Sequence, residues 1–213
     1  MSSEATLLAE ATDLAKQWAD GAGLKPFSFT LSSGELVVVR GRSGSGKSTL
    51  LALLAGWIDP DGGRLERLGP WAEAGMDQTW KGTAILPQVI AAIAELTMTE
   101  NVALPLRLSG STRADADGRA RSVLQRLGLG DEVDRPASDT SLGQQQRMAL
   151  ARAAVIDPIV LLADEPTSHQ DAGHIAAVLE LLRAMVTAGS CIVVASHDHA
   201  VADVADRIFD LDR

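Results

Sequence analysis

A glycine-rich turn between an apolar run and a helical pattern constrains the fold of this chain more than any other segment. The turn spans residues 41–49 and reads GRSGSGKST. It follows the apolar run 35–41 (ELVVVRG), and its last residues open the helical pattern 47–57 (KSTLLALLAGW). A buried strand that leads directly into a helix is typical of layered α/β domains with a parallel sheet.

The same alternation of strand and helix recurs in the second half of the chain. Residues 159–164 (IVLLAD) and 190–196 (SCIVVAS) are short apolar runs without alternation, and such runs suit strands that are buried on both faces. Helical patterns follow them at 171–188 and 199–206. We therefore expect a mostly parallel core sheet with right-handed crossovers, and ligands that bind at the carboxyl ends of its strands.

Two segments depart from this alternation. From residue 89 to about 135 the pattern is helical without a convincing strand, through VIAAIAELT, TENVALPLRL and RADADGRARSVLQRLGL. This predicts an inserted helical subdomain, because the sheet resumes afterwards. The first thirty residues, including 27–31 (FSFTL), are predicted to add antiparallel strands at one edge.

Composition argues against several classes of protein. The 213-residue chain carries a formal net charge of −9, which argues against a nucleic-acid partner. Its single cysteine, Cys191, lies in an apolar run and is expected to be buried and inert. The N-terminus lacks the pattern of a signal peptide. The longest stretches without Asp, Glu, Lys, Arg or His are thirteen residues, 82–94 and 184–196, so no direct membrane insertion is expected.

The spacing of the turn matches G-x-x-x-x-G-K-[ST], a pattern that binds phosphate. Its glycines let successive backbone N–H groups face anionic oxygens, and the helix that follows directs its positive end to the same place. Lys47 is expected to reach the β- and γ-phosphates, and the Ser48 hydroxyl to coordinate Mg²⁺. The alternative is a loop that binds nothing, but the flanking strand and helix are the context that the motif requires. The residues predicted to bind nucleotide here are Gly41, Arg42, Ser43, Gly44, Ser45, Gly46, Lys47, Ser48 and Thr49.

Asp164 is the last residue of the apolar run 159–164, and a second acidic residue, Glu165, follows it directly. An acid at the end of a buried strand beside a phosphate-binding turn can hold the water shell of Mg²⁺, and a neighbouring carboxylate can polarise an attacking water. Such pairs are also common on surface loops. The preceding strand and the distance of about 115 residues from the turn favour the catalytic interpretation.

The phosphate-binding turn and the acidic pair together resemble a P-loop ATPase. Further motifs narrow the resemblance to the ABC ATPases, and this resemblance covers essentially the entire chain. Residues 140–147 (TSLGQQQR) stand where that family has its LSGGQQQR signature, and 161–171 (LLADEPTSHQD) is similar to the Walker B strand and D-loop. Gln88, in AILPQ, resembles the Q-loop glutamine. His197, in ASHD, resembles the switch histidine, and Trp18, in AKQW, resembles the aromatic residue that stacks on adenine.

The resemblance implies a role for each of these positions. Asp164 is then the metal-shell acid, Glu165 the catalytic base, and His197 the sensor of the γ-phosphate. Taken alone, Gln88 could be a surface residue, His197 a helix cap and Trp18 part of the core. The catalytic residues implied are Lys47, Gln88, Glu165 and His197; the metal site is Ser48, Gln88 and Asp164; the additional nucleotide contacts are Trp18, Ser141, Gly143, Gln144 and Asp171.

The resemblance also implies the assembly. The chain would be a single ABC ATPase domain over residues 1–213, with an α/β core of the P-loop NTPase type at 1–88 and 146–213 and a helical subdomain at about 89–145. ATP and Mg²⁺ are the implied cofactors. Two ATPase subunits, identical or different, would sandwich two ATP molecules head to tail and move an integral-membrane permease. The implied location is cytoplasmic, on the inner face of the cell membrane through the permease.

Two departures from the family pattern are visible. Leu142 replaces a signature glycine and Thr140 replaces a leucine, so we expect impaired but not abolished activation of the partner's nucleotide. The D-loop reads Ser-His-Gln-Asp instead of Ser-Ala-Leu-Asp, which we interpret as the milder change. Because Lys47, Glu165 and His197 are retained, we expect a working ATPase.

Residues 99–106 (TENVALPL) resemble the ENVxLPL stretch of the lipoprotein-releasing and macrolide-export ATPases, which indicates export or the handling of envelope substrates. A chromosome-organising ABC ATPase would insert coiled-coil arms before the signature, where only about fifty residues separate Gln88 from Ser141. A signalling module that moves a membrane partner without carrying cargo remains the alternative.

Overall fold

A computed structural model describes residues 5–19, 21–74 and 82–212 of the protein. The helices and strands follow the order that the sequence predicts at both ends of the chain, with additional strands between them. The strands are β1 (Leu7–Gln17), β2 (Gly23–Ser32), β3 (Leu36–Arg40), β4 (Gly62–Arg67), β5 (Thr83–Leu86), β6 (Val160–Asp164), β7 (Cys191–Ala195) and β8 (Arg207–Asp210). The helices are α1 (Lys47–Ala55), α2 (Gly69–Glu73), α3 (Met98–Leu108), α4 (Arg113–Arg126), α5 (Leu142–Ala154), α6 (Ala172–Thr187) and α7 (His199–Asp203).

Five of these strands form a parallel sheet in the order β5-β6-β7-β3-β8. The three apolar runs of the sequence become β3, β6 and β7, and they occupy the three central places. Successive residues face opposite sides: Leu36 and Val38 pack into one core, whereas Val37 and Val39 pack into the other. Both faces are thus covered, which explains why these strands show no polar alternation.

The antiparallel strands predicted for the N-terminus are present and form a separate sheet in the order β2-β1-β4. The apolar side chains of β1 and β2 share a core with α1 and one face of the parallel sheet. Strand β4, which the sequence pattern did not predict, pairs with β1 as the third strand. This sheet places the turn between β1 and β2 next to the start of α1, because Gly23 contacts Gly46.

Helices α3, α4 and α5 pack together and share the core on the other face of the parallel sheet. Helix α3 begins with a capping box, in which Thr97 and Glu100 satisfy each other's backbone N–H groups. Within the described residues, no helix combines the length and the apolar character that a membrane crossing requires.

The prediction of a helix at 89–97 is wrong. The structure has no helix between β5 and Met98, and the reason is the fully buried side chain of Asn101. Its Oδ1 accepts the backbone N–H of Ile93 at 2.9 Å, and its Nδ2 donates to the carbonyls of Ile93, Leu96 and Thr97 at 2.9–3.1 Å. One amide therefore satisfies backbone groups that a helix would otherwise satisfy.

Cys191, the first residue of β7, is fully buried between the two sheets. Burial is the main cause that raises the pKa of its thiol above the ordinary value. A thiol without access to solvent and without thiolate character matches the expected role as a packing residue.

Candidate functional site

The glycine-rich turn joins β3 to α1, and backbone contacts fix two of its glycines. Gly46 caps α1 in the left-handed region, with φ of 99°, and a Cβ there would lie 2.5 Å from the carbonyl oxygen of Gly23. Gly41, with φ of 150°, would place a Cβ 2.3 Å from Oγ of Ser45. Only glycine fits at both positions. The two glycines therefore allow the backbone to turn tightly from β3 into α1.

Lys47, the first residue of α1, folds back over the turn. Its Nζ donates hydrogen bonds to the carbonyls of Gly41, at 2.7 Å, and Arg42, at 3.1 Å. The ammonium group thus lies beside the helix N-terminus, where the unpaired backbone N–H groups already carry partial positive charge. This concentration of positive charge is suited to binding an anion.

Ser48 brings the turn and β6 together. Its Oγ donates to Oδ2 of Asp164 at 2.7 Å and so connects α1 to the end of β6. Gln88, which follows β5, lines the same pocket. A hydroxyl, a carboxylate and an amide oxygen are ligands that Mg²⁺ prefers, and Mg²⁺ completes its shell with waters and phosphate oxygens instead of an all-protein cage. The residues present therefore fit Mg²⁺.

Glu165 and His197 face each other at the ends of β6 and β7. Glu165 has a left-handed backbone, with φ of 51°, and its N–H donates to the Ala195 carbonyl at 2.8 Å. Ser196 Oγ donates to Oε2 of Glu165 at 2.9 Å, while Oε1 lies 4.0 Å from Nε2 of His197. One carboxylate oxygen is therefore fixed by a hydrogen bond and the other is turned toward the histidine.

Trp18 lies just after β1 and is 43% exposed, so it is not the core residue that one interpretation allowed. Its Nε1 donates to Oγ1 of Thr49 at 3.4 Å, and the Lys16 ammonium lies 5.5 Å from the ring centroid. The indole therefore stands at the rim of the pocket beside α1, where an exposed ring face is available for stacking.

A pocket of about 310 Å³ gathers most of the predicted site residues. Arg42 and Ser45 instead line a wider adjoining pocket of about 690 Å³, and Gly41 contributes its carbonyl to Lys47. Ala22 and Gly23, from the β1–β2 turn, line both pockets, and the sequence analysis missed them. The predicted residues that line the smaller pocket are Trp18, Ser43, Gly44, Gly46, Lys47, Ser48, Thr49, Gln88, Asp164, Glu165 and His197.

The remaining predicted residues lie at two other helix N-termini and do not line this pocket. Ser141 caps α5 in a capping box: its Oγ accepts the N–H of Gln144 at 3.3 Å, and Oε1 of Gln144 accepts the N–H of Ser141 at 2.8 Å. Nε2 of Gln144 also donates to Glu132 at 3.0 Å, so both ends of this amide are bound within the chain.

Gly143 lies in the first turn of α5, and Asp171 caps α6. The backbone N–H of His174 donates to Oδ1 of Asp171 at 3.0 Å, and this bond is the main cause that lowers the pKa of the Asp171 carboxyl. The cap thus favours the ionised form of the Asp171 carboxyl.

Comparison with known proteins identifies this arrangement. A family model described as "ABC transporter" matches residues 24–168, which is more than half of the chain. The chain belongs to the ABC transporter family. It is 37% identical over 211 residues to an uncharacterized ABC transporter ATP-binding protein of Mycobacterium bovis, covering 94% of this chain and 63% of that relative. The chain therefore spans slightly less than two thirds of the length of such relatives.

Shorter members of the ABC family match over most of both chains. The lipoprotein-releasing system ATP-binding protein LolD of Hydrogenovibrio crunogenus is 35% identical, with 96% of this chain and 94% of LolD covered. The solved dimeric, post-hydrolysis structure of the ATP-binding cassette MJ0796 with ADP and Pi is 28% identical, with a TM-score of 0.84 over 95% of this chain and 94% of that cassette. These matches confirm the predicted resemblance and the P-loop NTPase fold.

Ser196 is a residue of this ABC cassette site that the sequence analysis missed. Its hydroxyl donates to Glu165 and accepts the N–H of Asp198 at 3.1 Å. The available signal was its position directly before His197, at the end of an apolar run that we expected to border the site.

Leu142 departs from the glycine of the ABC signature, and the structure shows how it is accommodated. It is the first residue of α5, its φ is not positive, and its side chain is 50% exposed. The leucine therefore strains nothing within the chain, and its side chain lies on the surface at the N-terminus of α5.

We expect Leu142→Gly to raise the ATPase rate about 2- to 10-fold, because it clears apolar bulk at the N-terminus of α5, where the resemblance implies the signature donors. Steady-state ATPase assays measure this. Leu108→Gly, at an exposed leucine that ends α3, is the matched control. An unchanged or lower rate for Leu142→Gly would contradict the expectation.

Proposed function

We propose that this chain binds Mg²⁺ and ATP in the pocket around Lys47 and hydrolyses the ATP as the ATPase subunit of an ABC transporter. The single observation that carries the proposal is the hydrogen bond between Ser48 and Asp164, with Glu165 at the next position. It supports the proposal that a magnesium-binding pair, a base and a cationic turn surround one pocket.

In this proposal each side chain has one task. Lys47 neutralises phosphate charge at the N-terminus of α1, while Ser48, Asp164 and Gln88 would hold Mg²⁺, which would supply further positive charge to the phosphates. Glu165 accepts a hydrogen bond from the attacking water and orients it. Ser196 fixes the Glu165 carboxylate, and His197 faces its free oxygen at 4.0 Å.

A second ATPase subunit completes the proposed site. ABC ATP-binding subunits dimerise, and the relative MJ0796 is dimeric in both of its solved structures. Ser141, Gly143, Gln144 and Asp171 lie outside the pocket of their own chain. We infer that they act on the nucleotide of the partner, where the α5 N-terminus and the Ser141 hydroxyl bind the γ-phosphate. Whether the partner is identical or different does not alter this geometry.

A groove of about 450 Å³ between the sheet and α3 is the proposed docking surface for the permease. Trp57, which is 63% exposed, Leu104 and Ile156 give it apolar walls, and Arg152 adds a partly buried guanidinium. An amphipathic segment that carries one acidic residue fits such a groove. Through it the chain would lie at the cytoplasmic face of the cell membrane, as one domain whose residues 89–145 act as a helical subdomain.

The cargo class is proposed from the relatives. LolD is named for a lipoprotein-releasing system, so export or the handling of envelope substrates is the transport task that we favour. The signalling alternative is not favoured, because the relatives are named as transporter ATP-binding proteins. Cargo flux in vesicles that contain the purified permease complex distinguishes the two functions.

The docking surface is tested with two variants at equally exposed apolar residues. Trp57→Asp lies in the groove and Leu108→Asp lies outside it, and both side chains are 63% exposed. We expect Trp57→Asp to lower co-purification of the membrane subunit at least about tenfold, since it buries a charge in the apolar interface. ATP binding by the isolated chain should stay unchanged. Equal retention of the membrane subunit by both variants would exclude the groove.

A further inference from the structure

Gln170 connects the segment after β6 to the first turn of α5. Its Nε2 donates to the carbonyl of Gly143 at 2.9 Å, and its Oε1 accepts a hydrogen bond from the guanidinium of Arg147. A single side-chain amide therefore binds the helix at two positions that are one turn apart. The apolar leucine at this place in the family pattern could make neither bond.

Arg147 depends on this acceptor. The residue is only 5% exposed, and its Nε is buried without a hydrogen-bond partner in the part of the chain that the structure describes. Burial is the main cause that lowers the pKa of its guanidinium, while the carboxylates of Asp171 and Glu132 oppose that effect. Because a buried guanidinium is costly without an acceptor, the amide of Gln170 is held firmly in this orientation.

The backbones of the two segments also meet closely. A Cβ on Gly143 would lie 2.6 Å from the carbonyl oxygen of His169, which itself has a left-handed φ of 61°. At the other end of the same segment, Nε2 of Gln146 donates to the carbonyl of Glu165 at 3.3 Å. The residues between Glu165 and Gln170 are thus attached to α5 at both ends.

We propose that Gln170 is a positioning residue that fixes the N-terminus of α5 relative to Glu165 of the same chain. The inference rests on the proposed function, in which that N-terminus carries the donors Ser141 and Gly143 for the partner's nucleotide. Loss of Gln170 then slows hydrolysis in the pocket of the partner, whereas the pocket of its own chain keeps all of its lining residues. The departure from the family D-loop is therefore not a mild one.

The first test uses hydrogen exchange of the isolated chain. Gln170→Leu removes both bonds, and we expect the peptide that covers 141–148 to exchange at least about threefold faster, because the first turn of α5 loses its attachment. A peptide that covers β7 should not change. Gln125→Leu, at an exposed glutamine of α4, is the control. Unchanged exchange at 141–148 would overturn the proposal.

The second test uses mixed dimers with two affinity tags, in which Glu165→Gln silences one pocket. With Gln170→Leu in the silenced chain, the active pocket uses the altered signature, and kcat should fall about tenfold while KM stays within about twofold. With Gln170→Leu in the other chain, the active pocket uses an intact signature, and kcat should stay within about twofold.

Equal slowing in both arrangements, or no slowing in either, would overturn the positioning role, since a general loss of stability would affect both. The proposed function fails in a different way. In that case wild-type dimers would not hydrolyse ATP, or Glu165→Gln in both chains would leave turnover intact.

Discussion

Glu165→Gln should lower the ATP turnover of the assembled complex by about 10²- to 10³-fold, because it removes the carboxylate that we propose as the acceptor of a proton or hydrogen bond from the attacking water. The fold holds this carboxylate firmly. Its backbone N–H binds the carbonyl of Ala195, and Ser196 donates to one of its oxygens. Glutamine keeps the shape and can still accept the Ser196 bond, so nucleotide affinity should stay within about threefold. The loss would therefore appear in kcat and not in binding.

Steady-state ATPase assays and nucleotide titrations of the same preparation separate these two effects. Glu180→Gln, at an exposed position of α6, removes an equal charge away from the pocket and should leave both quantities unchanged. Turnover of Glu165→Gln within about threefold of wild type would show that another group activates the water. His197, with its Nε2 at 4.0 Å from Glu165, would be the next residue to replace.

The parts of the fold that local rules dictate could be predicted from the sequence. The apolar runs that became β3, β6 and β7 are buried on both faces, so their composition alone reveals them. The turn before α1 was equally predictable. Its surroundings admit only glycine at positions 41 and 46, so the turn leaves a recognisable glycine pattern in the sequence. Residue types at fixed spacing were sufficient to predict four site residues that the structure brings to one pocket: Lys47, Ser48, Asp164 and Glu165.

The errors arose where contacts outside a segment determine its local structure. Residues 89–97 have helical composition, but the buried amide of Asn101 satisfies their backbone groups in an irregular path. Strand β4 carries GGRLER, with little apolar character, and exists because β1 offers it an edge to pair with. Neither outcome follows from the periodicity of the segment itself.

The same limit explains what was missed around the site. Ser196 acts through the orientation of Glu165, and Gln170 acts through Arg147 and Gly143, which lie more than twenty residues away in sequence. Such contacts depend on how β6, β7 and α5 are arranged in space. The Gln-for-Leu difference in the D-loop was visible in the sequence, but its partners were visible only in the structure.

Lys47→Ala should weaken ATP binding by about 100-fold, because the proposed charge-assisted hydrogen bond to phosphate is lost together with the positive charge at the start of α1. In the structure the Lys47 ammonium binds the carbonyls of Gly41 and Arg42. Those carbonyls become accessible to water after the substitution, so the fold should lose little stability. The thermal midpoint without nucleotide should therefore change far less than the affinity.

Equilibrium titration with a fluorescent ATP analogue measures the affinity, and two further variants separate charge from geometry. Lys47→Arg keeps the charge but not the compact ammonium, and we expect an intermediate loss of about tenfold. Arg126→Ala removes a positive charge from an exposed position on α4 and should leave binding unchanged. If Lys47→Ala bound the analogue as tightly as wild type, the nucleotide would not occupy the turn between β3 and α1. The roles of Ser48, Asp164 and Glu165 would then be excluded together, because all three depend on phosphates held at that turn.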